Sequence, residues 1–243
     1  MGKMIKVNET PAYLAVPENE IKGGILVIHE VWGLDDHIKS VADRLANEGY
    51  LALAPDLLAG SDLEVERLRD LKDSLFDPEQ RSAAQPQLRK LMAPMQNPDF
   101  GKATKSKTVQ CFDYLYHLPE VRQSVAVIGF CFGGTYSYIL AVNEPRLQLA
   151  LPFYGHADFL TEELKKIACP IRAFYGEKDK GLAEQMEKLP PKMKAADVDF
   201  EQKIYTDCGH AFFNDTNKFT FNRAAATDAW EQSLAYLTKY VKS

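Results

Sequence analysis

A strand signal followed by a helix signal recurs along this chain, and that alternation limits its possible folds more than any other feature. The runs "GGILVIHE", "YLALAPD", "SVAVIGF", "LALPFYG" and "CPIRAFYGEKD" are apolar at consecutive rather than alternate positions. Strands of that kind are buried on both faces, as parallel strands covered by helices are. After the first, "DDHIKSVADRLANEG" puts Ile38, Val41, Ala42 and Leu45 on one helical face and closes at Gly49. The segment "DFEQKIYTDCGH" alternates enough to be a strand near a sheet edge, and "AAATDAWEQSLAYLTKYV" sets Ala226, Trp230, Leu234, Leu237 and Val241 along one stripe of a long helix. The expected fold class is therefore α/β, with a mostly parallel central sheet, helices on both faces and right-handed crossovers. No repeat, low-complexity tract or linker interrupts the pattern, so residues 1–243 read as one domain.

One region departs from the alternation. From Leu57 to about Lys107 the chain carries charged helical patterns such as "LEVERLRDLKDSLF" and "PEQRSAAQPQLRKLM", then a loop-like "APMQNPDFGKATKSK". Two readings stand side by side. The segment is either a lid over the carboxyl ends of the strands, where open α/β sheets bind ligands, or a solvated helical connection.

Composition excludes several classes of partner. With 46% hydrophobic and 26% charged residues and a net charge of −5, the chain offers no broad attraction to nucleic acid or anionic membrane. The stretch "MGKMIKVNETPAYLAVPENE" lacks the apolar core of a signal peptide, and no segment approaches the roughly 20 apolar residues that cross a bilayer. A cytoplasmic protein is expected, monomeric or homodimeric, acting on a small molecule. Cys111, Cys131, Cys169 and Cys208 show neither a CxxC pairing nor metal-ligand spacing, so four free thiols are expected.

Among these thiols, Cys131 stands apart. In "SVAVIGFCFGGT" a buried strand ends in Gly129-Phe130-Cys131-Phe132-Gly133, with a helical pattern starting at once. This is the G-x-nucleophile-x-G arrangement of a nucleophile elbow, in which a sharp strand-to-helix turn presents one side chain at the top of the sheet. Glycines on either side permit close backbone approach, and the helix N-terminus favours a thiolate and an oxyanion. Elbow hydrolases place an acid and then a base on loops after later strands. "FYGEKDKG" offers Asp179, with Glu177 as a competitor and a helix N-cap as the alternative role. "YTDCGHAFF" offers His210, which alone among His29, His37, His117, His156 and itself follows a late strand in a Gly-His context. Cys111 falls among the apolar positions of a helix, Cys169 opens a strand and Cys208 sits two residues from His210, so these three read as core thiols.

With "GFCFGG", "YGEKDKG" and "DCGHAFFND" in view, the chain resembles the dienelactone hydrolase family, the cysteine branch of the α/β-hydrolase fold. The likeness extends over nearly the whole sequence and includes "VIHEVWGLDDHIKSVADRLANEGYLALAPDLLAG". It implies an ester or lactone hydrolase in which Cys131 attacks the acyl carbon and His210, oriented by Asp179, transfers protons. Backbone N–H groups of Phe132 and Val31 would hold the oxyanion, and Glu30 would help generate the thiolate. Neither metal nor organic cofactor is implied. Trp32, Arg81 and Asn214 are the substrate-binding candidates. In the enzymes acting on dienelactone itself two arginines bind the substrate carboxylate; Arg81 or Arg89 is placed to supply one, and Asn214 stands where the other would be. Two readings from other classes remain beside the hydrolase: a thiol redox sensor using Cys131, and a catalytically silent scaffold.

Overall fold

A computed structural model describes residues 2–242. Its centre is one eight-stranded sheet: β1 (Lys3–Val7), β2 (Thr10–Ala15), β3 (Gly24–Ile28), β4 (Leu51–Pro55), β5 (Val125–Phe130), β6 (Leu149–Phe153), β7 (Ile171–Gly176) and β8 (Phe200–Tyr205). Their spatial order is β1-β2-β4-β3-β5-β6-β7-β8. The five consecutive-apolar runs are β3 to β7, and every residue in them is buried. Removing each Val, Leu, Ile or Phe of such a strand from water contributes about 1.5–3 kcal/mol, which is why these segments settle at the centre. β8 pairs only with β7 and is the expected edge strand.

The parallel part runs from β4 to β8, and β1 and β2 add an antiparallel hairpin at the other edge. Sequence periodicity does not disclose that hairpin, because β1 is largely exposed and β2 contains Pro11. Helices cover both faces. The main ones are α1 (Asp36–Asn47), α5 (Pro98–Tyr116), α6 (Phe132–Asn143), α8 (Ala183–Ala195) and α9 (Arg223–Tyr240), with a short α7 (Thr161–Leu164). Asp35 caps α1 by accepting from the Ile38 N–H at 3.1 Å, and Ile38, Val41, Ala42 and Leu45 are its buried face. α5 packs on α6, whereas α1 and α9 meet where the Arg44 guanidinium lies 3.9 Å from the Trp230 ring centre.

The segment between β4 and α5 folds as α2 (Val65–Asp70), α3 (Lys72–Phe76) and α4 (Arg81–Met92). It builds a small apolar cluster of its own from Leu68, Leu75, Phe76, Ala84 and Leu91, and Trp32 belongs to that cluster. Lys72 Nζ lies 2.6 Å from Asp35 Oδ2 and Arg69 Nε donates to the Trp32 carbonyl at 3.0 Å, so the helices are fastened to the turn that follows β3. This is the carboxyl end of a central strand. Trp32 therefore packs with the apolar side of the helical segment and is largely buried at this end of the sheet.

Candidate active site

The path of the chain decides where the site lies. From β3 it moves outward to β4 on one side, then returns past β3 to β5 and continues to β6 on the other. Such a divergence opens a crevice at the carboxyl ends of the two strands. Ile28 of β3 is paired with Gly129 of β5, so residues two places further on, Glu30 and Cys131, emerge beside one another.

Cys131 has φ 53° and ψ −110°, a conformation that costs a non-glycine residue on the order of 1–3 kcal/mol and persists only when its surroundings enforce it. Two hydrogen bonds do so. The Cys131 N–H donates to the Phe153 carbonyl and the Gly133 N–H to the His29 carbonyl, both at 3.0 Å. At Gly133 an added Cβ would meet the carbonyls of Ile28 and His29, so the helix reaches the neighbouring strand only because that position has no side chain. The turn leaves Cys131 half-buried, whereas Cys111, Cys169 and Cys208 are free thiols in the core. Burial pushes the Cys111 and Cys169 thiols up to about 12 and raises that of Cys208 as well.

His210 and Asp179 meet from two later loops. The Lys178 N–H donates to the Cys208 carbonyl at 2.8 Å and the Glu177 N–H to the Tyr205 carbonyl at 3.0 Å, which ties the loop after β7 to the loop after β8. His210 Nδ1 lies 2.5 Å from Asp179 Oδ2, and the Asp179 side chain is only 8% exposed. Asp179 thus faces the imidazole rather than capping α8, and Glu177 accepts instead from the Asp207 N–H at 3.3 Å. Burial works against a charged imidazole, but the neighbouring Cys131 and the bond to Asp179 outweigh it and hold the His210 pKa well above its ordinary value.

Glu30 is 3% exposed, and burial raises its pKa despite the opposing influence of His37, Asn214 and His210. Its Oε2 accepts from Asn214 Nδ2 at 2.5 Å and its Oε1 lies 3.4 Å from the Tyr154 hydroxyl. Asn214 is fully buried, and its Oδ1 accepts from the N–H and hydroxyl of Thr216 at 3.0 and 2.7 Å. Asn214 thus bridges Glu30 and Thr216 inside the protein, its Nδ2 on the carboxylate and its Oδ1 on Thr216. Arg81 is exposed and gives Nε to the Leu75 carbonyl at 2.8 Å, and Arg89 is likewise exposed.

Three groups here were not singled out by sequence reasoning. Tyr154, with φ 39°, is fully buried, touches Glu30, and has its ring 5.0 Å from that of His210. An aromatic at the carboxyl end of "LALPFYG" was the available signal. His29 is fully buried with Nδ1 2.6 Å from the Glu30 carbonyl, and Nε2 accepts from the Leu57 N–H at 3.0 Å. These bonds select the neutral ring protonated at Nδ1, and burial lowers its pKa accordingly. The third is His37, paired with Asp215 at 2.9 Å.

Neither the Phe132 nor the Val31 N–H has an acceptor among the described residues. Among those residues, no group of three or more His, Cys, Asp or Glu side chains is arranged to hold a metal ion, and no helix is long and apolar enough to cross a membrane.

Comparison with known proteins completes the picture. A family model described as the dienelactone hydrolase family matches residues 10–241. The chain belongs to the dienelactone hydrolase family. A protein of Saccharolobus solfataricus, provisionally assigned as a carboxymethylenebutenolidase, is 32% identical, with 95% of this chain and 94% of that one covered. The fold is shared with a provisionally assigned dienelactone hydrolase of Klebsiella pneumoniae at TM-score 0.83 and 23% identity, covering 99% of each chain. It is also shared with a dienelactone hydrolase-like promiscuous phosphotriesterase from metagenomic libraries, at TM-score 0.76 and 21% identity over 100% of this chain and 98% of that one. Membership of the dienelactone hydrolase family makes this chain a hydrolase with the α/β-hydrolase fold.

Proposed function

We propose that this hydrolase opens a lactone or small activated ester with Cys131 as nucleophile, His210 as general acid–base and Asp179 as the carboxylate that orients it. The observation that carries this reading is the half-buried Cys131 in its strained turn, with the Asp179–His210 pair beside it. When substrate binds, Glu30 takes the proton from Cys131 Sγ, leaving a thiolate and a neutral carboxylic acid; a buried carboxyl with a raised pKa is suited to accept it. The thiolate adds to the acyl carbon, and the oxyanion that forms is received by the Phe132 and Val31 N–H groups. Protonated His210 gives its proton to the departing alkoxide or enolate oxygen. The neutral ring then removes a proton from water, which attacks the thioester and releases the acid. His210 is suited to both roles, because its side chain is 40% exposed at the mouth of the crevice while Asp179 anchors Nδ1.

The substrate class follows from what the site lacks. The amide of Asn214 is turned to Glu30 and Thr216, so no second carboxylate anchor stands at that position. A neutral lactone, enol ester or aryl ester suits this site better than an anionic dienelactone, and its good leaving group suits a sulfur nucleophile. The helical segment from α2 to α4, packed on Trp32 at the crevice, acts as a lid in this account.

A screen of wild type and Cys131→Ala over enol lactones, aryl esters, alkyl esters and thioesters tests the proposal. The wild type should turn over the activated substrates, and Cys131→Ala should lose about a thousandfold or more. Limiting iodoacetamide should label Cys131 ahead of the three buried thiols and stop turnover in proportion. Retained turnover in Cys131→Ala, or inactivation that tracks modification of Cys208, would rule the assignment out.

A further inference from the structure

One buried residue, His29, links the two peptide groups assigned above to the oxyanion. It directly follows β3 and its side chain is fully enclosed. The Leu57 N–H donates to Nε2 at 3.0 Å, so the ring proton sits on Nδ1, and Nδ1–H donates to the Glu30 carbonyl at 2.6 Å. That carbonyl shares one peptide unit with the Val31 N–H. No peptide bond among the described residues is cis, and in a trans unit the C=O and N–H point in opposite directions. The bond from His29, with a second from the Gly33 N–H at 3.2 Å, therefore fixes where the Val31 N–H points. The other donor is held through the same residue. The His29 ring stacks on the Phe132 ring, centres 5.6 Å apart and planes 6° apart, and the His29 carbonyl accepts from the Gly133 N–H at 3.0 Å. Phe132 is thus held by its side chain and by the residue after it.

We propose that His29 is a positioning residue that aligns the Val31 and Phe132 N–H groups on the oxyanion without touching substrate itself. The inference rests on acyl transfer at Cys131 with those two N–H groups as donors, as described above. Donors fixed in advance stabilise developing charge because nothing has to reorganise at the moment of reaction, and losing one commonly costs about a hundredfold to a thousandfold in turnover. Val31 lies in the turn after β3, outside the strand ladder, so the sheet does not hold its N–H. The two bonds on the Glu30 carbonyl do. A hydrogen bond on a carbonyl also polarises the N–H of the same peptide, so the His29 donor strengthens the Val31 N–H as well as aiming it. Packing alone would be served by an apolar ring of similar size; the bond to the peptide that ends in the Val31 N–H assigns the further role.

The test compares full-length wild type, His29→Gln and His29→Asn with an aryl ester, the matching thionoester and iodoacetamide. Glutamine reaches the Nε2 position and can accept from Leu57, but it sets no donor on the Glu30 carbonyl; asparagine sets its amide N–H at the Nδ1 position. In His29→Gln, kcat for the ester should fall by about thirtyfold with KM within about threefold of wild type, and His29→Asn should recover most of that loss. The thionoester develops its charge on sulfur, which these N–H groups serve poorly. Its turnover should fall less, so the ester-to-thionoester ratio should shrink by about tenfold in His29→Gln. Alkylation of Cys131 forms no oxyanion, and its rate should stay within about twofold. An unchanged ester-to-thionoester ratio in His29→Gln, alkylation that slows in step with turnover, or His29→Asn no better than His29→Gln would overturn the role. If neither variant folds, NMR of wild type carrying isotope-labelled histidine decides: the proton should sit on Nδ1 of His29, and a proton on Nε2 would overturn the proposal. Ester and thionoester turned over equally fast by wild type would instead remove the oxyanion site beneath it, and labelling of a different cysteine would remove the nucleophile.

Discussion

His210→Ala should lower turnover of an activated lactone or aryl ester by about a thousandfold or more, because it removes the group that protonates the leaving oxygen and activates water. The fold should survive. His210 is 40% exposed and contributes little apolar packing, so the urea midpoint should stay near that of wild type. Asp179→Asn should cost less, about a hundredfold: the amide can still touch Nδ1, but it cannot balance a charged imidazole and tends to select the wrong tautomer. Added imidazole should restore part of the turnover of His210→Ala and none of that of Cys131→Ala. Steady-state rates with and without imidazole check this. Near-normal turnover in His210→Ala would remove His210 from the mechanism.

The second large effect is expected at Gly133, where function and stability fail together. An added methyl would meet the Ile28 and His29 carbonyls, and the His29 carbonyl is the acceptor that fixes the start of α6. Neither neighbour can give way, since Ile28 is paired in register with Gly129 and His29 is bonded to Leu57. Gly133→Ala should therefore cost about 3 kcal/mol or more of stability, at the upper end of overpacking effects, and displace the Phe132 N–H from its place beside Cys131. Urea unfolding and soluble yield measure the first consequence, and turnover of the surviving fraction the second. A midpoint equal to that of wild type would mean that the elbow is looser than its hydrogen bonds indicate.

How much of this was legible in the sequence depended on the distance over which each signal acts. The strands β3 to β7 were legible because burial on both faces leaves uninterrupted apolar runs. The turn at Cys131 was legible because its glycines stand within two residues of it. Asp179 and His210 could be singled out because each directly follows a strand, and the structure brings them to 2.5 Å. The hairpin of β1 and β2 left no comparable trace, since one strand is exposed and carries Lys3 and Lys6. Contacts across the molecule left none at all. Asn214 is 184 residues from Glu30 and Asp215 is 178 from His37, so nothing local distinguishes an asparagine that clamps a buried carboxylate from one that faces a ligand. The packing of Trp32 was hidden for a related reason, since the apolar residues it joins, Leu68 to Leu91, come from helices far downstream.

The central claim is that acyl transfer passes through a thioester on Cys131, and the most direct measurement is to catch it. Wild-type protein mixed with a slight excess of an aryl ester, quenched in acid within milliseconds to seconds and digested, should yield the peptide spanning Cys131 with the mass of the acyl group added. That adduct should be cleaved by hydroxylamine and absent from Cys131→Ala. An acyl group found on any other residue, or none on Cys131 under conditions where product forms in a burst, would contradict the account.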